Sequence, residues 1–380
     1  MKMTYFRSFV SIVLVMFPCV AFSARVCGIQ HNEQYLYFCQ PTGVNVLEKS
    51  TGKWTAYTHQ NGMLPVDTHC TINLHNDTLW VGSNDGWVTA ICGDWKESKR
   101  YHLVIDDPSG SYFPVTKIRI DEQGRLALLF YYGVTIVDDG NLEYYYTPEI
   151  YSAYGGRLWD AAFGDAGSLW IAGDIHDMAD DLSKYSIGGD IDYLLRRLER
   201  PWPFQLGAIR CVTVDAHHNV WFCPGNQLVK YDDETYTPYE IGTQVNDMSF
   251  DAQGRLWMAG MNGRLCCFDN GEITHYPYQQ ETWNCLDIDG DIVYIGTQDG
   301  VLKFENGEFT PFEIPDLTTS ITPLLAAPEK RLSSPMFTLG GTAVMSSSAK
   351  GVVISNGRKV VAKNDHRTAF YAKFQTLIDI

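Results

Sequence analysis

The stretch Val245-Asn-Asp-Met-Ser-Phe-Asp-Ala-Gln-Gly-Arg-Leu-Trp-Met-Ala-Gly-Met-Asn-Gly-Arg-Leu-Cys-Cys-Phe268 decides how the rest of the chain is read. Val245, Met248 and Phe250 precede a polar turn, Asp251-Ala252-Gln253-Gly254, and Leu256-Trp257-Met258 follow it. Met261-Asn262-Gly263 then turns the chain into Leu265–Phe268, and Asp269-Asn270-Gly271 turns it once more. Asn-Gly suits a tight hairpin because both central residues need positive φ. Three turns between short apolar runs predict a four-stranded antiparallel meander.

The same unit recurs along the chain. With Trp257 as anchor, the equivalents are Tyr37, Trp80, Ala127, Trp170, Trp221, Tyr294 and Val344, spaced 36 to 51 residues apart. A period of about 40–45 residues with four strands each is the signature of propeller blades. An all-β propeller follows, with eight blades by motif count and seven as the alternative. The eighth copy, within 341–357, keeps its turns but has lost the aromatic anchor.

The pattern Val-x-x-hydrophobic-x-x-Asp-x-x-Gly-x-Leu-Trp-x-x-Gly resembles the two-component regulator propeller repeat, common in bacterial sensor ectodomains. The resemblance implies a ligand- or protein-binding propeller without its signalling module, since no kinase follows. The repeat is a folding unit and brings no catalytic residues with it. An enzymatic alternative is a lyase or hydrolase similar to the propeller streptogramin lyases. That chemistry needs a His base beside a magnesium site, and the sequence places no such constellation. A third reading is an envelope scaffold protein.

Residues 1–24 read as a signal peptide. Lys2 and Arg7 precede an apolar run from Phe9 to Phe17, and Ala21-Phe-Ser-Ala24 offers small residues for cleavage. The run is too short to span a bilayer. Residues 25–380 are then one propeller domain, periplasmic or secreted, with no membrane span. Without Lys2 and Arg7, 27 basic residues face 45 acidic ones. Such a balance argues against nucleic acid as a partner.

Ten cysteines occur, and Cys19 falls in the leader. Cys27 and Cys39, and likewise Cys211 and Cys223, lie twelve residues apart around a hairpin turn. A turn centred on residue 33 sets 27 opposite 39, and one centred on 217 sets 211 opposite 223. Directly opposed residues suit a disulfide, and an oxidising compartment favours one. No metal site, cofactor or catalytic set is expected. Asp287-Ile-Asp-Gly-Asp291 has the flavour of a calcium loop but lacks the downstream bidentate Glu.

In a propeller, the residues opening each first strand gather around one mouth of the central channel. His69, Trp159, Arg210, Asn246 and Asn284 hold that repeat position, with Trp283 beside the last. An imidazole, two indoles, a guanidinium and two amides suit a small molecule, glycan or peptide. These six are the expected ligand-binding residues, with a protein partner as the alternative occupant.

Overall fold

The computed structural model describes residues 25–92, 98–103, 114–130, 133–138, 141–146, 157–165, 167–176, 179–186, 191–193, 202–204, 209–279 and 282–317, with four short strands within 336–361. The expected signal peptide, 1–24, lies outside the described residues.

The quoted stretch folds as its turns dictate, into Val245–Phe250, Leu256–Gly260, Arg264–Asp269 and Glu272–Pro277. Asn262 and Gly263 have φ of 68° and 64°, and Asn270 and Gly271 have 47° and 92°. Six further meanders span 28–58, 69–103, 117–146, 157–193, 209–240 and 283–312, each pairing its strands in chain order. The protein is therefore an all-β propeller of seven four-stranded antiparallel blades, numbered here in chain order. Consecutive first strands pack side by side and wall the channel.

The eight-blade expectation is corrected. Blade 7 packs directly against blade 1, and Val26 N donates to Thr297 O at 3.0 Å. One apolar cluster unites Val26, Ile29 and Phe38 with Cys285, Tyr294 and Val301, leaving no gap for another blade. The eighth copy instead contributes Ala343–Val344, paired with Met336–Phe337. The latter runs parallel to Ser98–Leu103 on the outer edge of blade 2. The missing aromatic anchor does not by itself decide this, since blade 3 forms around Ala127; the direct contact between blades 7 and 1 leaves this copy no place in the ring.

Each seam between blades carries its own apolar cluster, so the core is divided seven ways around the ring. The anchors sit in these seams. Trp170, Trp221 and Trp257 are buried, and Trp80 is half-buried against Tyr101. A buried indole N–H needs an acceptor, and the repeat supplies one. Trp221 Nε1 donates to Asp215 Oδ2, and Trp257 Nε1 to Asp251 Oδ2, each at 2.9 Å. The same aspartates accept backbone N–H groups across the turn. The Asp and the Trp of the repeat are thus one device: the residue that shapes the turn also satisfies the anchor.

The blade 7–blade 1 seam is ionic at one end. His31 Nδ1 lies 2.6 Å from Asp287 Oδ2, and Lys49 Nζ lies 2.5 Å from Asp289 Oδ2. The hydrogen bond to Asp287 raises the His31 pKa against the opposing effect of burial, with Asp289 adding to the rise and Lys49 opposing it. Asp287 is also raised, by burial foremost, which outweighs the pull of His31. Because the folded His31 value lies above the ordinary one, its contribution to stability is complete below about pH 6.5. It disappears as pH climbs through the raised value. His31→Asn should therefore destabilise the protein more at pH 6 than at pH 8.5 in denaturant titrations. An equal effect at both pH values would remove the ionic role.

Candidate ligand site at the channel mouth

Five first strands open with a register shift, between His69/Thr71, Leu158/Asp160, Ile209/Val212, Val245/Asp247 and Trp283/Cys285. A β-bulge bends the strand and re-aims the extra side chain. The residues inside these shifts are Cys70, Trp159, Arg210 with Cys211, Asn246 and Asn284. Recurrence at one repeat position in five blades marks the bulge as a built feature of the mouth.

The expected ligand residues have different surroundings. Trp159 and Arg210 come together from blades 4 and 5: the guanidinium carbon sits 4.7 Å from the indole centroid, and both side chains are half-buried. Asn246 Nδ2 donates to Trp283 O at 2.8 Å, linking blade 6 to blade 7. Asn284 Nδ2 donates to Val26 O at 3.0 Å, and its Oδ1 accepts from Gln298 Nε2. Trp283 has no exposed surface and packs against Tyr278 and Phe309. His69 is buried, and burial lowers its pKa to about 4, so it is neutral at physiological pH.

The cysteines do related work. Cys27, Cys70, Cys211 and Cys285 each point Sγ at a carbonyl of the next blade: His69 O, Val115 O, Val245 O and Val26 O, at 3.8, 2.7, 3.7 and 3.9 Å. Those carbonyls occupy one repeat position, the same one that accepts from Asn246 and Asn284. Thiols and amides at the head of the first strands thus stitch the ring together. The strand register differs by one from the sequence expectation at Cys39, which faces Gly28. The Cys27 and Cys39 sulfurs are nonetheless 3.6 Å apart. In blade 5, the bulge sets both Arg210 and Cys211 against Cys223. Among the described residues all nine cysteines are free thiols.

One step deeper, the channel is crossed by charge. Lys117 Nζ, on blade 3, lies 3.3 Å from Asp247 Oδ1, on blade 6. Two blades three places apart in a ring of seven are as distant as blades can be, so this pair spans the channel. Arg119 donates from Nη2 and Nε to Asp160 Oδ1 at 2.6 and 3.0 Å. The remaining oxygens accept backbone N–H groups of the following blade, Val212 N for Asp160 and Leu286 N for Asp247. Burial lowers the pKa of Lys117 and of Arg119, but the two carboxylates outweigh it and raise both. Both cations stay charged, and an ionic bridge crosses the channel at this level.

Sequence reading did not find this bridge. A signal was available: in blade 3 the residues matching Asn246-Asp247 are Thr116-Lys117, so Lys117 and Asp247 hold one repeat position with opposite charge. Among the described residues, no group of three or more His, Cys, Asp or Glu side chains is placed to hold a metal ion. No helix there is long and apolar enough to cross a membrane.

No family model matches the chain, and no curated protein matches it in sequence. Solved structures do match it in fold. The WD40 propeller domain of Doa1 superposes with a TM-score of 0.57 at 11% identity, over 77% of this chain and 95% of that one. YCF48 bound to D1 peptide gives 0.55 at 11% identity, over 77% and 93%. PorZ, a surface component of the type-IX secretion system of Porphyromonas gingivalis, gives 0.55 at 11% identity over 78% of this chain. The chain spans 39% of the length of PorZ. Extracellular domains of putative one- and two-component system proteins of B. thetaiotaomicron are among the matches, at 15–16% identity, TM-scores of 0.39–0.44 and less than half of those chains. At these identities the likeness is one of fold.

Proposed function

We propose that this chain is an exported binding propeller whose ligand sits at the channel mouth, against Trp159 and Arg210. The observation that carries the reading is the stacked indole and guanidinium, brought together from two blades on bulged positions above an ionic bridge. An aromatic face and a forked donor side by side match a ligand with both an apolar surface and polar groups. Asn246, Trp283 and Asn284 hold blades 6, 7 and 1 together elsewhere around the same mouth, and His69 is a buried neutral imidazole on blade 2. A peptide is the favoured ligand class, because a propeller of this shape, YCF48, is found with a bound peptide. A screen of peptide and glycan arrays with purified protein tests the proposal. Replacing Trp159 and Arg210 together with Ala should weaken binding of any hit at least tenfold, while the thermal midpoint stays within a few degrees. Unchanged affinity with an intact fold would place the ligand elsewhere and favour a scaffold role.

In an oxidising compartment we further propose that Cys27–Cys39 and Cys211–Cys223 close as disulfides. The 3.6 Å between the first two sulfurs supports the first pair. Digestion of exported protein without reductant should yield peptides joined through each pair. Recovery of all as alkylatable thiols would leave them as hydrogen-bond donors between blades.

A further inference from the structure

We infer that the mouth recognises the carboxylate end of a chain, a peptide C-terminus entering carboxylate first. The inference rests on the mouth being a ligand site, and it is carried by an imbalance of charge there.

Among the described residues at the head of the first strands, the cations Lys117, Arg119 and Arg210 stand with the carboxylates Asp160 and Asp247. Every oxygen of both carboxylates already accepts a hydrogen bond. Asp160 Oδ1 takes Arg119 and the Ala161 N–H, and its Oδ2 takes Val212 N. Asp247 Oδ1 takes Lys117, and its Oδ2 takes Leu286 N. Neither is bonded to Arg210, whose Nε is buried without a hydrogen-bond partner. A buried donor left unmade is costly, and a stacked guanidinium keeps its edge N–H groups for an acceptor in the ring plane. Arg210 thus offers a donor to an acceptor from outside, and an anion is the acceptor its charge favours most. This local excess of positive charge belongs to a protein with a formal net charge of −16, so it is a local arrangement and no reflection of overall composition.

The bridge bears on which group carries the anion. The Lys117–Asp247 pair crosses the channel at the repeat level one residue below Arg210. A side-chain bridge at that level stands in the path of a ligand running through the channel, which favours an end group reaching Arg210 while the remainder leaves by the mouth. Chain-terminal carboxylates meet that condition, and a carboxylate pairs bidentately with a guanidinium.

The test uses the full chain and two tetrapeptide libraries, identical except that one has free C-terminal carboxylates and the other is C-terminally amidated. Uronate oligosaccharides form a third arm. Free-acid peptides should bind, with affinity falling about 10–100-fold on amidation, the range for a charge-assisted hydrogen bond. Arg210→Gln should lower free-acid affinity by a similar factor and leave both libraries alike. Arg210→Lys should retain part of the preference, and near-unchanged thermal midpoints establish that both variants fold. Equal binding of both libraries, with Trp159→Ala weakening each, would overturn the carboxylate while leaving the ligand site standing. Uronates binding through Arg210 where free-acid peptides do not would overturn the peptide. No binding in any arm would overturn the inference and the site together.

Discussion

Replacing Trp257 with Ala is expected to destabilise the protein by about 3–5 kcal/mol, the range for removing a large buried aromatic. The indole lies between blades 6 and 7, close to Tyr276 and Phe304, and is 6% exposed. Its removal opens a cavity in that seam and also strands Asp251 Oδ2, which keeps only Arg255 Nε. Trp257→Phe should recover most of the packing but lose the indole hydrogen bond, at about 1 kcal/mol. Trp159→Ala, in contrast, removes a half-buried ring at the mouth and should cost less than Trp257→Ala. Denaturant midpoints at constant m-value measure all three. A loss below 1 kcal/mol for Trp257→Ala would mean that the anchor does not fill the seam.

Asp160→Ala should be the most damaging change in the channel. Asp160 is almost fully buried and receives Arg119, Ala161 N and Val212 N. Removing one member of a buried pair typically costs about 3–5 kcal/mol, because the other charge stays behind. Arg119 keeps about a quarter of its side chain exposed, which places the expected loss near the lower end, at about 3 kcal/mol. Asp160→Asn retains an acceptor and should cost less. A double variant, Arg119→Met with Asp160→Leu, should recover much of the loss because it removes both charges. A double variant no better than Asp160→Ala alone would show that the backbone bonds of Asp160, and not its pairing with Arg119, hold the channel together. That result would be read from the coupling energy of the cycle.

The propeller itself was legible because its determinants are local. Asp251, Gly254, Trp257 and Asn262-Gly263 lie within one meander, and each shapes a turn or fills the seam beside it. Counting blades was harder. Residues 341–357 keep the Gly and Asn-Gly turn signals, yet turn signals measure local chemistry only. Whether a meander joins the ring depends on whether space remains between blades 7 and 1. The cysteine register went astray for a related reason. Pairing by constant sums assumes regular strands, and the bulge at Ile209/Val212 and the one-residue offset at Gly28/Cys39 break that assumption. Of the six residues expected at the mouth, sequence could not separate those facing the opening from those facing the next blade. The bonds of Asn246 and Asn284 to the carbonyls of Trp283 and Val26 have no signature within their own strands. The Lys117–Asp247 pair has no signature within one meander, since 130 residues separate its members; only the opposite charges at one repeat position hint at it.

Every blade is one unbroken segment of chain, and the apolar clusters join only sequence neighbours, with a single exception. The Val26–Thr297 and Asn284–Val26 bonds close the circle across more than 250 residues. Folding rate falls as contacts become more distant in sequence. Six of the seven seams can thus assemble in order as the chain emerges, each new blade docking on a finished one. Blade 1 must wait with one flank open to water until blade 7 exists. The closing step is then the slow one, and a chain cut off before residue 283 keeps two apolar flanks that nothing covers. Such fragments should aggregate in proportion to those flanks, which makes the completeness of synthesis a condition for solubility as well as for the site.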